Sequence, residues 1–378
     1  MKIKQIILCI VFALTLVTVP VVAALTPDAE ISTSERRPLI QFDDYGTKRD
    51  EALLHGNEYG LTDYFSYLED YLLDQFPVRD GFRSIKTLTK LYMLGLRDNN
   101  DYYYVDGTLA KLDSVRSDKA LADALARFNS VYDKYFANTD ANVYYSVIPD
   151  KNYFTASQNG YPSYDYDAFY RDVRAGLYDG FKEIDIKNLL DIGDYYRTDP
   201  HWSQPEILDI ADALLYGMSA EGTASGQSYT RVDLSPFYGT YYGQAALPVK
   251  PDTMSYLTND IISGAEVYDY EKDTVSTVYT DGNFSHTDPY DVYLSGAKPL
   301  LKITNPAQDN GRQLVLFRDS FGSSIAPLFI SEYSEIIIVD IRYISPQIID
   351  MFVKFDSDCD ALFLYSTSVI NSIGAFMK

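Results

Sequence analysis

Leu314-Val315-Leu316-Phe317-Arg318-Asp319-Ser320-Phe321-Gly322-Ser323-Ser324 is the stretch whose reading decides the fold. Its four leading apolar residues show no polar alternation, which is the pattern of a strand buried on both faces. The run breaks at Arg318-Asp319-Ser320, and residues 325–330 can continue as a helix. Residues 143–148 (VYYSVI), 336–341 (IIIVDI) and 361–365 (ALFLY) have the same character. Segments of helical period flank them. The clearest is 118–136, with Leu121, Leu125, Phe128, Tyr132 and Tyr135 on one face. Apolar strands alternating with helices imply an α/β domain whose mostly parallel sheet is covered on both sides.

Upstream, Thr62 opens a helix that stops near Pro77, and Phe82, Ile85, Leu88, Leu91 and Tyr92 mark another. Residues 102–105 followed by Asp106-Gly107 predict a strand and a turn. Residues 222–299 are rich in Tyr, Gly, Thr, Asp and Pro and lack helical period, so an irregular or β-rich insertion is expected there. The first 25 residues carry Lys2 and Lys4 ahead of an apolar run that ends near Ala23-Ala24, the form of an export signal. Because that run approaches the roughly 20 residues that span a bilayer, it reads equally as an N-terminal membrane anchor. Residues 26–60 read as a polar tether, and 61–378 as the functional domain.

Composition removes several functions. With 54 acidic against 32 basic residues, the net charge of −22 disfavours a nucleic-acid partner, which requires a basic face. Three histidines leave little room for a His-rich metal site and two cysteines none for a cysteine zinc site, and no dissociable cofactor is implied. His286 reads as exposed and His55 as structural. The 35 tyrosines are in excess, and each ring can serve as half-buried packing or as a stacking surface for sugars.

Two segments carry candidate chemistry. In a parallel α/β sheet, ligands sit beyond the carboxyl ends of the strands, the position of Ser320. Gly322 permits close backbone approach there, and N–H groups around Ser320 could hold an oxyanion. Asp319 and Ser320 read equally as caps of the following helix. The second segment is Arg197-Thr198-Asp199-Pro200-His201-Trp202-Ser203-Gln204-Pro205-Glu206. Ser203 and Glu206 have capping-box spacing, so a helix carrying Ile207, Ile210, Ala211 and Leu214 is predicted to start there. A serine hydroxyl needs a base to take its proton, and the base needs a partner to orient it. Ser320, His201 and Asp199 supply these roles, although an Asp-x-His pair is also a common hydrogen-bonded loop.

Asp199-Pro200-His201-Trp202 resembles the Asp-His-His-Trp signature of the DHHW family, with Pro200 in place of the first His. Arg318-Asp319-Ser320-Phe321-Gly322, Val339-Asp340-Ile341-Arg342-Tyr343, Asp74-Gln75-Phe76-Pro77-Val78-Arg79-Asp80 and Pro149-Asp150-Lys151 resemble it too. That family is similar to the SGNH-hydrolase-like proteins of alginate O-acetylation, in which the Asp-x-His pair also precedes the serine.

The resemblance implies an SGNH-hydrolase-like α/β fold with Ser320 as nucleophile, His201 as base and Asp199 as its partner. It implies an exported O-acyltransferase or acylesterase acting on a cell-surface polysaccharide, supplied by a membrane-bound O-acyltransferase. A polysaccharide-binding or assembly protein that keeps the fold without turnover is the alternative. Arg318 stands where SGNH enzymes usually have Gly. Arg342 and Lys151 are candidate contacts for an anionic substrate or carrier and read equally as strand-end ion pairs, Arg318 is a further candidate substrate contact, and Tyr238 and Tyr241 are candidates for sugar rings. The acid excess favours neutral or basic sugars over polyuronates.

Overall fold

The computed structural model describes residues 2–376. The chain divides into two units, residues 1–99 with 242–248 and residues 100–241 with 249–378. In the first, the apolar run forms helix α1 (Lys2–Leu25), long and apolar enough to cross a membrane by length and composition. Residues 26–60 contain a two-stranded ladder and helix α2 (Tyr45–Leu54), whose N-terminus Asp44 caps by accepting from Thr47 N. Helix α3 (Leu61–Asp74) ends before Pro77, and α4 (Arg79–Leu88) runs on through a π turn at Thr89–Met93. Ion pairs hold this unit. Arg37 bonds Asp74 at 2.5 Å, and Arg79 and Arg83 bond Glu35 at 2.6 and 2.9 Å.

The second unit is built on an eight-stranded sheet. Its strands are β1 (Asn142–Ile148), β2 (Phe181–Glu183), β3 (Glu266–Asp269), β4 (Thr274–Ser276), β5 (Leu300–Thr304), β6 (Gln313–Arg318), β7 (Glu335–Val339) and β8 (Asp360–Ser366). They lie in the order β4-β3-β5-β7-β6-β8-β1-β2. The half from β7 to β2 is parallel, and β5, β3 and β4 continue it antiparallel. The α/β class read from the sequence, a mostly parallel sheet flanked by helices, is the class observed. Strand β7 is shorter than IIIVDI suggests. Asp340 leaves the ladder and its carboxylate accepts from Arg342 N, closing a turn.

All six residues of β6 are buried, because the strand is central and both faces are covered. Leu314 and Leu316 join the core under helix Leu208–Gly217, whereas Val315 and Phe317 join the opposite core under the helices Asp118–Tyr135 and Tyr166–Gly176. This alternation is the period of a strand applied to two apolar faces. Residues 222–299 contribute an antiparallel strand pair (Thr230–Phe237 with Asp252–Thr258) and also β3 and the edge strand β4. The predicted turn at Asp106-Gly107 joins Tyr102–Val105 to Thr108–Lys111, with both turn residues at positive φ.

Pro149 closes β1, and the next residues set up the site. Asp150 caps the short helix Lys151–Thr155, and the Lys151 ammonium turns inward. It donates to the carbonyls of Tyr196, Arg197 and Asp199 at 2.7, 3.2 and 3.3 Å. One buried side chain thus gathers three residues of the loop that bears Asp199 and His201.

Two consequences are measurable. Phe317, fully buried and stacked on Phe363 at 4.4 Å, leaves a cavity when truncated, so Phe317→Ala loses about 3–5 kcal/mol in urea unfolding. Burial pulls Lys151 from 10.5 down to about 7. Between those values the unfolded chain binds the extra proton, so this group makes the native state more stable as pH rises from 7 toward 10.5; below pH 7 the penalty of the buried ammonium is fully present. Lys151→Met lacks that slope, so melting temperatures of wild type relative to variant rise across the window. A difference that stays constant with pH contradicts the assignment.

Candidate active site

Asp319 follows β6 with its carboxylate wholly buried. A buried carboxylate must be satisfied by donors. One oxygen takes Phe321 N at 3.0 Å, and the other takes Ser366 N and Ser366 Oγ, both at 2.7 Å. Ser366 ends β8, so Asp319 ties the turn after one parallel strand to the end of its neighbour. The capping role read from the sequence belongs to Asp319. Ser320 makes no cap bond with its side chain and points instead to His201.

The His201 Nε2 to Ser320 Oγ distance is 2.7 Å, and His201 Nδ1 lies 2.6 Å from Asp199 Oδ1. With a carboxylate on one side and a hydroxyl on the other, Nδ1 carries the proton and Nε2 accepts from the serine. Asp199 is fully buried and His201 nearly so. Asp199 Oδ1 also accepts from His201 N at 3.1 Å, and its Oδ2 accepts from Thr240 N at 2.8 Å. The arrangement can take a proton from Ser320 and stabilise the resulting imidazolium.

Several supports went unnoticed in the sequence because they join distant segments. Trp202 Nε1 donates to Ser324 Oγ at 2.8 Å and lies 3.2 Å from Phe321 O, linking the histidine loop to the helix behind the serine. Tyr290 stacks on the His201 ring at 3.9 Å and 12°, and its hydroxyl also reaches Ser324 Oγ at 2.8 Å. Asp252 accepts from Thr198 N and Thr198 Oγ1, and Thr198 Oγ1 accepts from Gly239 N. A Cβ on Gly239 would lie 2.2 Å from Thr198 O, so only glycine fits this approach.

The capping box expected at Ser203 and Glu206 is not formed. Gln204–Glu206 is a short 3₁₀ turn, Ser203 makes no side-chain cap, and the helix starts at Leu208. Pro205 and the burial of Gln204 favour a different solution. Gln204 donates to Ser324 O and accepts from Leu257 N, while Ser203 N donates to Asp194 O. The expected oxyanion donors are likewise reduced. The N–H groups of Phe321, Gly322 and Ser323 serve Asp319 Oδ1, Asp319 O and Ser320 O.

The proposed substrate contacts separate. Lys151 lies under the site with its donors on backbone carbonyls, which leaves it none for a substrate. Tyr241 is buried edge-on against Tyr102 at 5.0 Å, with Lys151 Nζ 5.4 Å from its ring centre. Arg318 is wholly buried; its longer contacts are to Gly296 O at 3.3 Å, Asp319 O at 3.4 Å and Asp340 at 3.9 Å, and burial lowers its pKa. These three pack rather than face solvent. Arg342 keeps partial exposure but forms a fork with Asp340 at 2.8 and 2.6 Å. Tyr238 is exposed.

A cavity of about 350 Å³ beyond β1 is lined by Asp113, Asp150, Asn152, Tyr241 and Asn371 among others, and Ser320 and His201 do not line it. Burial lifts the Asp113 carboxyl to about 6. His286 is exposed as expected. His55 is also exposed, at the C-cap of α2, instead of being held in a core. Among the described residues no group of three or more His, Cys, Asp or Glu converges as metal ligands would.

Residues 164–339 match the family model described as DHHW protein. The structure resembles a DHHW family protein from Eubacterium siraeum, with a TM-score of 0.56 and 24% identity over 74% of this chain and 94% of that one. It also resembles Bacillus cereus PatB1, with a TM-score of 0.57 and 19% identity over 73% and 99% of the two chains. PatB1 with a sulfonyl adduct gives a TM-score of 0.56 and the same identity, over 74% and 99%. No curated relative matches the chain. The resemblance read from Asp199-Pro200-His201-Trp202 is thus borne out: residues 164–339 carry the DHHW pattern, on a fold shared with a DHHW protein of solved structure.

Proposed function

We propose that this chain is an exported serine O-acyltransferase or acylesterase that moves acetyl groups on or off hydroxyls of a cell-surface polysaccharide. The observation that carries the reading is the continuous line Asp199–His201–Ser320, at 2.6 and 2.7 Å, beyond the carboxyl end of a central parallel strand. Ser320 Oγ attacks the acyl carbonyl while His201 Nε2 takes its proton. The leaving alcohol then collects that proton, and the acyl group stays on Ser320 as an ester. A sugar hydroxyl or water gives its proton to His201 and attacks the ester, which restores the serine.

PatB1, of like fold, has been solved with a sulfonyl adduct, and sulfonyl electrophiles trap activated serine hydroxyls. The apolar helix α1 supports export or anchoring. On that side of a membrane cytoplasmic acyl donors are out of reach, so transfer needs a membrane partner to deliver the acyl group, which the family resemblance implies is a membrane-bound O-acyltransferase. Tyr238, exposed in the segment between base and nucleophile, is the candidate sugar contact.

Ser320→Ala is expected to lower hydrolysis of small acetyl esters by about 10³-fold or more, and Asp199→Asn by about 10⁴-fold through the wrong imidazole tautomer. Ester turnover assays with the folded variants check both. Unchanged turnover and unchanged surface acetylation in Ser320→Ala, with glycan binding kept, would instead favour the non-catalytic reading. A sulfonyl fluoride should label wild type at Ser320, read by peptide mass spectrometry, and fail to label Ser320→Ala. Incubating an oligosaccharide with an acetyl-ester donor separates the two reactions: acetyl gain indicates transfer, and acetyl loss indicates hydrolysis.

A further inference from the structure

Helix α4 is mounted the wrong way round for a soluble unit. A surface helix ordinarily turns its apolar stripe to the core and its charges to water. Here the polar side faces inward. Arg79 and Arg83 pair with Glu35, and Arg83 Nη2 donates to Gly243 O at 2.7 Å. Thr87, 1% exposed, bonds Ala245 O, as does Asn99, which also bonds Thr87. These contacts fix the rotation of the helix. The side left outside carries Phe82, Ile85, Leu88, Tyr92, Met93 and Leu94, with exposures from 37% at Leu88 to 79% at Met93.

Charge singles out the same segment. In a chain of net −22, residues 79–97 hold Arg79, Arg83, Lys86, Lys90 and Arg97 against Asp80 alone. A basic amphipathic helix with large apolar side chains outward fits an anionic lipid surface. The same unit contains α1, long and apolar enough to cross a membrane and with none of its hydrophobic window buried. A chain held to a bilayer by α1 keeps the α4 unit within reach of that surface.

We propose that the apolar face of α4 and the following π turn lies in the headgroup interface of an anionic bilayer, as a second membrane contact beside α1. Lys86 and Lys90 would meet lipid phosphates, and Phe82, Ile85, Tyr92 and Met93 would enter the acyl boundary. This contact is independent of the acyl-transfer reading, because no residue of the Ser320 site takes part.

The test uses the full chain with Cys9→Ser, since Cys359 is buried, reconstituted in vesicles of phosphatidylglycerol and phosphatidylethanolamine in equal parts. An environment-sensitive fluorophore is placed at Ile85→Cys, Met93→Cys or, as a solvent-facing control on α3, Glu69→Cys. Labels at 85 and 93 are expected to shift to the blue and to be quenched several-fold more by lipid-borne quenchers than the label at 69. Adding Lys86→Glu and Lys90→Glu, or using phosphatidylcholine alone, should reduce that quenching. Equal quenching of all three labels by aqueous iodide overturns the proposal. Shielding found only in native membranes, and not in pure lipid vesicles, also overturns it and assigns the face to a membrane protein. Far-ultraviolet circular dichroism and thermal unfolding of each labelled variant report that the chain is folded.

Discussion

The carboxylate of Asp319 sits without solvent between the ends of β6 and β8, and its need for donors organises the site. In a low-dielectric interior an ionised or hydrogen-bonding carboxyl left without partners is costly, and charge-assisted bonds from backbone N–H groups are among the stronger remedies. Phe321 N, Ser366 N and Ser366 Oγ meet that need. Meeting it bends the chain sharply after Arg318 and stands Ser320 at the mouth of the sheet. Gly322 is part of the same bend, since a Cβ there would lie 2.5 Å from Arg318 Cβ. The serine is therefore positioned by its neighbour's satisfaction, and its hydroxyl remains available to His201.

The opposite side of the site obeys the same logic with the sign reversed. Lys151 is a buried ammonium that three carbonyls of the histidine loop must solvate, and Asp252 is a buried carboxylate that takes the N–H and hydroxyl of Thr198. Each demand pulls on the loop from Tyr196 to His201. Trp202 and Tyr290 then converge on a single hydroxyl, Ser324 Oγ, which lies one helical turn beyond Ser320. Two segments separated by more than a hundred residues are thus locked through one buried oxygen, and the 2.7 Å contact between base and serine follows from that lock.

In the first unit buried ion pairs have an unusual outcome. Glu35 and Asp74 draw Arg37, Arg79 and Arg83 toward them, and the amphipathic helix that carries two of these is left with its apolar side out. Periodicity alone predicts the reverse, because a helical stripe of Phe, Ile, Leu and Tyr ordinarily marks the core side. Which face of a helix is buried depends on what its neighbours offer, and here they offer carboxylates and carbonyls.

By itself the sequence determined the strands of the central sheet, because continuous apolar runs such as LVLF and ALFLY fit only a strand covered on both faces, and it determined the helix at 118–136 from its period. It also carried the candidates Asp199, His201 and Ser320, since a carboxylate, an imidazole and a hydroxyl are residue types with distinct chemistry. It did not determine the fate of Lys151, Arg318 and Tyr241, whose charge and size suit either a substrate or a core. Nor did it carry the failure of the Ser203–Glu206 capping box, which yields to the bonds made by Gln204. Those outcomes were decided by tertiary structure, because a buried polar group takes its role from the partners brought to it, and its partners lie far away along the chain.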